Sequence, residues 1–147
     1  TIELRKQIVR EIRKSKPQRM LVQSPERNWD RLFASHPDHM AAGEAAIQAV
    51  YPDARNPFAF EDLLKEEGLE PWRVRELWVM SHHTPDHVLD VTETFDKKIA
   101  ALHAHVSQTA HNPNLETMLR EWGEKNAKLH GLPDGRLAEI FKIVSSD

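Results

Sequence analysis

The sequence has no cysteine among its 147 residues. Disulfides, thiolate metal clusters and cysteine nucleophiles are therefore excluded, and any metal must be held by histidine and carboxylate. No apolar run approaches the ~20 residues that a membrane span requires, and no secretory apolar segment opens the chain. Internal repeats, low-complexity tracts and linker-like stretches are also missing, so residues 1–147 are expected to form a single domain. The lack of cysteine fits a reducing compartment, and a cytoplasmic location is the expectation. A formal net charge of −3 offers no general electrostatic footprint for nucleic acid, and no nucleic-acid partner is expected.

The charge that is present is unevenly placed. Residues 1–20 carry seven Lys/Arg against Glu3 and Glu11, whereas the remainder carries 13 basic and 21 acidic residues. Ile2, Ile8, Val9 and Ile12 take the packing positions of an amphipathic helix running to about Lys16, before Pro17, and its Lys/Arg residues are expected to form a solvated outer face. Arg19–Gln23 reads as a short buried strand, and a polar loop from Ser24 leads into an alanine-rich helix over Met40–Val50. An acidic helix spans Ala59 to Glu67 and stops at Gly68. Two further strands are expected at Glu76–Met80 and His87–Val91. Helices are expected over Thr92–Ser107, Asn112–His130 and Arg136–Val144. Strands alternating with helices define an α/β class with a parallel component. Three strands are few for such a sheet.

His36-Pro37-Asp38-His39 is the densest chemical signal, with two imidazoles and a carboxylate at a loop-to-helix junction. Positions i and i+3 share a helix face, so His36 and His39 can point into one cleft. Imidazole is a common zinc ligand, and a carboxylate such as Asp38 can orient one of the rings. A histidine free of metal can donate a proton or steady an oxyanion near neutral pH. The same four residues also suit a helix cap carrying two surface histidines.

Ser24-Pro25-Glu26-Arg27-Asn28-Trp29-Asp30 followed by Ser35-His36-Pro37-Asp38-His39-Met40-Ala41-Ala42-Gly43-Glu44-Ala45 resembles the second motif of the LmbE-like deacetylases, the PIG-L or GlcNAc-phosphatidylinositol de-N-acetylase family, in its actinobacterial form. The resemblance continues through Ala49–Pro57, Glu76–Met80, Pro85–Thr92, Phe95–Lys98 and Ala101–Gln108, and reaches Gly131-Leu132-Pro133 and Gly135–Glu139. It implies a Rossmann-like α/β/α fold with a mainly parallel sheet. It further implies a zinc-dependent hydrolase that removes an N-acetyl or related acyl group from an amino-sugar or amide substrate. On that resemblance His39 is a zinc ligand, and His36 steadies the oxyanion or protonates the leaving amine with Asp38 tuning a histidine. Arg27, Trp29 and Gln108 are implied on the substrate side.

One departure stands out. The family's first motif, Ala-His-Pro-Asp-Asp, supplies two zinc ligands and a general base, and no such segment occurs here. The remaining Zn2+ ligands are therefore expected outside this chain, and the fold is expected to be incomplete, lacking N-terminal strands. A start at Thr1 inside a helical pattern agrees with a C-terminal portion. The alternative is a non-catalytic structural or interaction module. An exposed sheet edge would favour a homo-oligomer or the missing N-terminal segment as partner. His82, His83, His87, His103 and His105 are expected at surfaces or interfaces, and Trp72, Trp78 and Trp122 in packing.

Overall fold

The computed structural model describes all 147 residues, which divide into two compact units. Thr1–Asp86 with Phe141–Asp147 form the first, and His87–Ile140 the second.

The first unit begins with α1 (Ile2–Ser15). Thr1 caps it by accepting from the Leu4 N–H at 3.2 Å, and Lys16 closes it in the left-handed conformation, its N–H donating to Ile12 O at 2.8 Å. The chain then enters β1 (Arg19–Gln23), passes a polar loop and forms α2 (Pro37–Gln48) and the five-residue α3 (Glu61–Lys65). It returns as β2 (Glu76–Met80), which pairs in parallel with β1 from Arg19↔Glu76 to Gln23↔Met80. Val9, Ile12, Val22, Ala49, Val50, Leu63, Val74, Leu77 and Val79 are buried together as its core. Trp72 donates its indole N–H to Pro17 O at 2.8 Å, and the Trp78 ring lies 5.2 Å from that of Phe141.

The basic face of α1 is not merely solvated, contrary to the expectation from composition. Arg5 reaches Asp53 at 2.7 Å, Lys6 reaches Asp62 at 2.6 Å, and Arg10 reaches Glu67 at 2.9 Å. Arg13 is 1% exposed, and its guanidinium donates to the carbonyls of Asp53, Ala54, Asn56 and Ala59 at 2.9–3.2 Å. Burial lowers its pKa, opposed by Asp53 and Asp62. The charge asymmetry along the sequence is thus largely complementarity within the unit: a basic helix against an acidic segment.

The second unit holds β3 (His87–Asp90), α4 (Phe95–His103), the single turn α5 (Val106–Thr109) and α6 (Leu115–Leu129). Phe95, Ile99, Leu115, Leu119 and Leu137 make its core. Asp90 accepts from Thr92 N at 3.0 Å, Thr92 Oγ1 at 2.7 Å and Arg136 Nε at 2.7 Å. Those donors, the Thr92 hydroxyl first, hold its carboxyl down at about 2.

The segment Arg136–Val144, expected to be the last helix, is instead strand β4 (Ala138–Ser145). It runs antiparallel to β2, from Val79↔Lys142 to Glu76↔Ser145. Apolar residues at Leu137, Ile140, Phe141 and Val144 imitate a helical period, but the β-branched Ile140, Ile143 and Val144 suit a strand, and the ladder with β2 decides the outcome. The sheet therefore has four strands in the order β1-β2-β4-β3 rather than three. It is mixed rather than mainly parallel, with β1–β2 parallel and β2–β4 antiparallel.

Candidate functional site

The parallel register brings Gln23 and Met80 side by side as the last residues of β1 and β2. The ladder runs one step further, Ser24 N donating to Met80 O at 3.1 Å. Both chains then leave the sheet at the carboxyl end, where open α/β sheets gather their ligands. The loop after β1 is braced by its own polar side chains. Ser24 Oγ accepts from Glu26 N at 3.2 Å, Asn28 Oδ1 from Asp30 N and Arg31 N at 3.1 and 3.0 Å, and the buried Ser35 Oγ from Asn28 N at 2.8 Å.

Beyond this loop α2 begins on the His-Pro-Asp-His motif. His36 is its N-cap, Pro37 its first residue and Asp38 the acid of its first turn. The helix seats against the end of β1 through Gly43. A Cβ there would stand 2.3 Å from Gln23 O and 3.1 Å from Pro25 N. Only glycine permits that approach, which fixes His36–His39 beside the loop from β1.

The His36 and His39 rings lie with centroids 5.6 Å apart and planes at 51°. His36 Nδ1 accepts from the Asp38 N–H at 3.2 Å, and the Asp38 carboxylate lies 3.8 Å from the same nitrogen. A backbone N–H aimed at Nδ1 requires a lone pair there, so the proton of the neutral ring sits on Nε2. The cap reading of the motif is thus realised in His36. All three side chains are solvent-exposed. His36, Asp38 and His39 do not converge as a three-ligand cage.

Arg27 and Trp29 lie on the loop before the motif, the guanidinium carbon 5.5 Å from the indole centroid and Trp29 80% exposed. Gln108 lies in the second unit, on α5, with its amide on Ser107 Oγ at 3.4 Å.

A second cluster was not evident from spacing. Glu26 Oε2 lies 3.3 Å from His82 Nε2 and 3.0 Å from His83 Nδ1. The two histidine rings stack at 4.5 Å, 20° from parallel. Glu26, His82 and His83 are the one group of three in which histidine, aspartate or glutamate ligand atoms all lie within 4.8 Å of one another. His82 and His83, expected at a surface or interface, therefore lie together with Glu26. Glu26 lies three residues past Gln23, and the histidines two and three past Met80, so strand register alone makes them neighbours. The signal available in the sequence was the position of all three just beyond two parallel strands.

An α/β fold hosts many unrelated activities, so it is the His-Pro-Asp-His helix start at the carboxyl edge of the parallel strand pair, rather than the fold, that bears on function. No family model matches the sequence. The chain is 33% identical over 108 residues to a diacetylchitobiose deacetylase of Thermococcus kodakarensis, spanning 74% of this chain and 38% of that protein. It is 41% identical over 90 residues to a probable N-acetyl-α-D-glucosaminyl L-malate deacetylase 2 of Bacillus subtilis, spanning 61% of this chain and 34% of that one. Its fold matches an N,N'-diacetylchitobiose deacetylase structure from Pyrococcus horikoshii with TM-score 0.80 and 26% identity, over 98% of this chain and 52% of that one. Its homologues are thus deacetylases of N-acetylated sugars, and the chain spans about half or less of the length of each.

Proposed function

We propose that this chain contributes the His-Pro-Asp-His half of an LmbE-like (PIG-L) deacetylase that hydrolyses an N-acetyl group from an amino-sugar substrate with zinc. One observation carries the reading: the motif stands at the start of α2, held there by Gly43, in a chain whose homologues are sugar deacetylases. His39 is the zinc ligand in this reading, and its partners lie outside the motif. When bound, the metal supplies the charge that polarises the acetyl carbonyl and acidifies a water.

His36 has the complementary task. With Nδ1 occupied by the Asp38 N–H, its Nε2–H faces outward as a donor, suited to the oxygen that becomes negative when water adds to the amide carbon. Cleavage of the C–N bond then releases acetate, and the departing nitrogen takes up a proton, which an imidazolium at His36 can give. Once both ring nitrogens are protonated, the Asp38 carboxylate lies near Nδ1 to balance the charge. Arg27 and Trp29 offer a cation and a flat stacking face to a polar sugar. A cytoplasmic location and a Rossmann-like arrangement completed by strands outside this chain belong to the same reading. So does a partner, either a second copy or an N-terminal segment. It is supported by β1 standing at the sheet edge with Leu21 57% exposed. No helix is long and apolar enough to cross a membrane.

The test is acetate release from N,N'-diacetylchitobiose and N-acetylglucosaminyl malate by the longest polypeptide that the coding sequence specifies. Activity that depends on zinc and disappears in His39→Ala supports the reading. Undiminished zinc content and turnover in His39→Ala would overturn the ligand assignment, and absence of any deacetylation would favour the non-catalytic alternative.

A further inference from the structure

We propose that Glu26, His82 and His83 form a second metal site, for a divalent transition ion of the zinc type, which clips the loop after β1 to the loop after β2. The inference goes beyond the deacetylase reading and does not depend on it.

The donor set is the first argument. Two imidazoles and one carboxylate suit zinc and its neighbours, and leave an open position for water. Spacing is the second. Ligand atoms about 2.0–2.1 Å from a tetrahedral ion stand roughly 3.3 Å from one another, and Glu26 Oε2 lies 3.3 and 3.0 Å from the two histidine nitrogens. Glu26 Oε2 thus already stands at that separation from both nitrogens, and all three ligand atoms lie within 4.8 Å of one another.

The scaffold is the third argument. Ser81 adopts a left-handed φ of 57° directly after β2, turning His82 and His83 towards the neighbouring loop. Glu26 is steadied from the other side by its N–H on Ser24 Oγ. The His82 side chain is only 13% exposed, so its ring is held rather than free to sweep solvent. Asp86, the next carboxylate along, is committed to Lys142 Nζ at 2.5 Å and Ile143 N at 2.9 Å, which leaves Glu26 as the acid of the set.

A metal-binding histidine normally donates its other N–H to an acceptor. His82 Nδ1 lies 3.1 Å from Thr84 N and 3.2 Å from Thr84 Oγ1. Without metal it accepts from the Thr84 N–H, and Nε2–H donates to Glu26. Binding an ion at Nε2 moves the ring proton to Nδ1, where the Thr84 hydroxyl oxygen accepts it once the Thr84 N–H has given up its contact with that nitrogen. The proton therefore has a place in both states.

The experiment uses the 147-residue protein carrying His36→Ala and His39→Ala, stripped with chelator and titrated with Zn2+ by calorimetry and with Co2+ by visible absorption. Binding of one equivalent, with the intense absorption of a low-symmetry four- or five-coordinate Co2+ site, is expected. Glu26→Gln and His82→Ala added to this background should each weaken binding tenfold or more, and Thr84→Val by a smaller factor, with circular dichroism unchanged. The proposal is overturned if no saturable binding occurs, or if Glu26→Gln and His82→Ala bind Zn2+ as tightly as their parent. Because the motif histidines are absent, failure of the deacetylase reading leaves this result untouched, and failure here leaves the deacetylase reading standing.

Discussion

Two groups of histidines sit at the same end of the first unit and were assembled by opposite means. His36 and His39 are neighbours in sequence, placed by a helix start, and the motif was visible at once. His82 and His83 meet Glu26 only because β1 and β2 pair in a particular register. The contiguous motif is open, with rings 5.6 Å apart and the Asp38 carboxylate 3.8 Å from His36 Nδ1. The register-built group is the tighter cage. Sequence proximity therefore marks where chemistry is encoded, while strand pairing marks where donor atoms converge.

The contrast predicts separable losses. The largest effect is expected on turnover: His36→Asn should lower deacetylation by about 10²-fold or more, the usual worth of a positioned proton donor, with zinc content retained. The same change should leave Co2+ binding at Glu26, His82 and His83 intact, read in parallel from visible absorption. Equal loss of metal and turnover would merge the two roles.

Gly43→Ala attacks what the two groups share. Its new methyl meets the backbone of Gln23 at 2.3 Å, and backbone cannot rotate aside. A loss of about 2–3 kcal/mol is expected in urea unfolding, together with weakened function at both histidine groups. A stability change near zero would show that α2 is free to shift along β1.

A smaller effect separates cap from catalyst. His36→Ala should cost up to about 1 kcal/mol, because the Asp38 N–H loses its acceptor, whereas His36→Asn keeps an acceptor and should unfold near the wild-type midpoint. Both variants should be equally poor catalysts. If asparagine restored turnover, the imidazole would have no proton role.

The smallest effect belongs to the second unit, where Asp90 is a structural acid with no part in either histidine group. Its folded pKa of about 2 lies below the ordinary value of ~3.9. The ionised carboxylate therefore stabilises the fold at pH above about 4, and that contribution disappears as pH falls towards 2. Melting temperatures of wild type and Asp90→Asn should differ modestly at pH 6 and converge near pH 2. A difference that persists at pH 2 would assign the effect to packing instead.

Much of the fold was legible because its signals are local. Arg19–Gln23 and Glu76–Met80 stand out as short apolar runs, and Pro17, Pro37 and Gly68 punctuate helices as their backbones require. Arg136–Val144 reads as a helix because its apolar spacing satisfies a helical period, and only pairing with β2 shows which solution is taken. The burial of Arg13 is invisible locally because its partners, four carbonyls between Asp53 and Ala59, lie 40 or more residues away. The partners of Glu26 are distant in sequence in the same way. Strand ends can be guessed from sequence, but their register, and hence which side chains stand opposite, depends on long-range contacts.

The close approach at Gly43 also has a meaning for anyone redesigning the specificity of this scaffold. Helix α2 and strand β1 should be inherited as one fixed cassette, because no residue larger than glycine fits at their crossing. Diversity is better spent on the exposed loop positions Arg27, Trp29, Leu32 and Phe33, which can be randomised without disturbing that crossing. A library built on this division would sample new pocket mouths while every member kept its histidines in register.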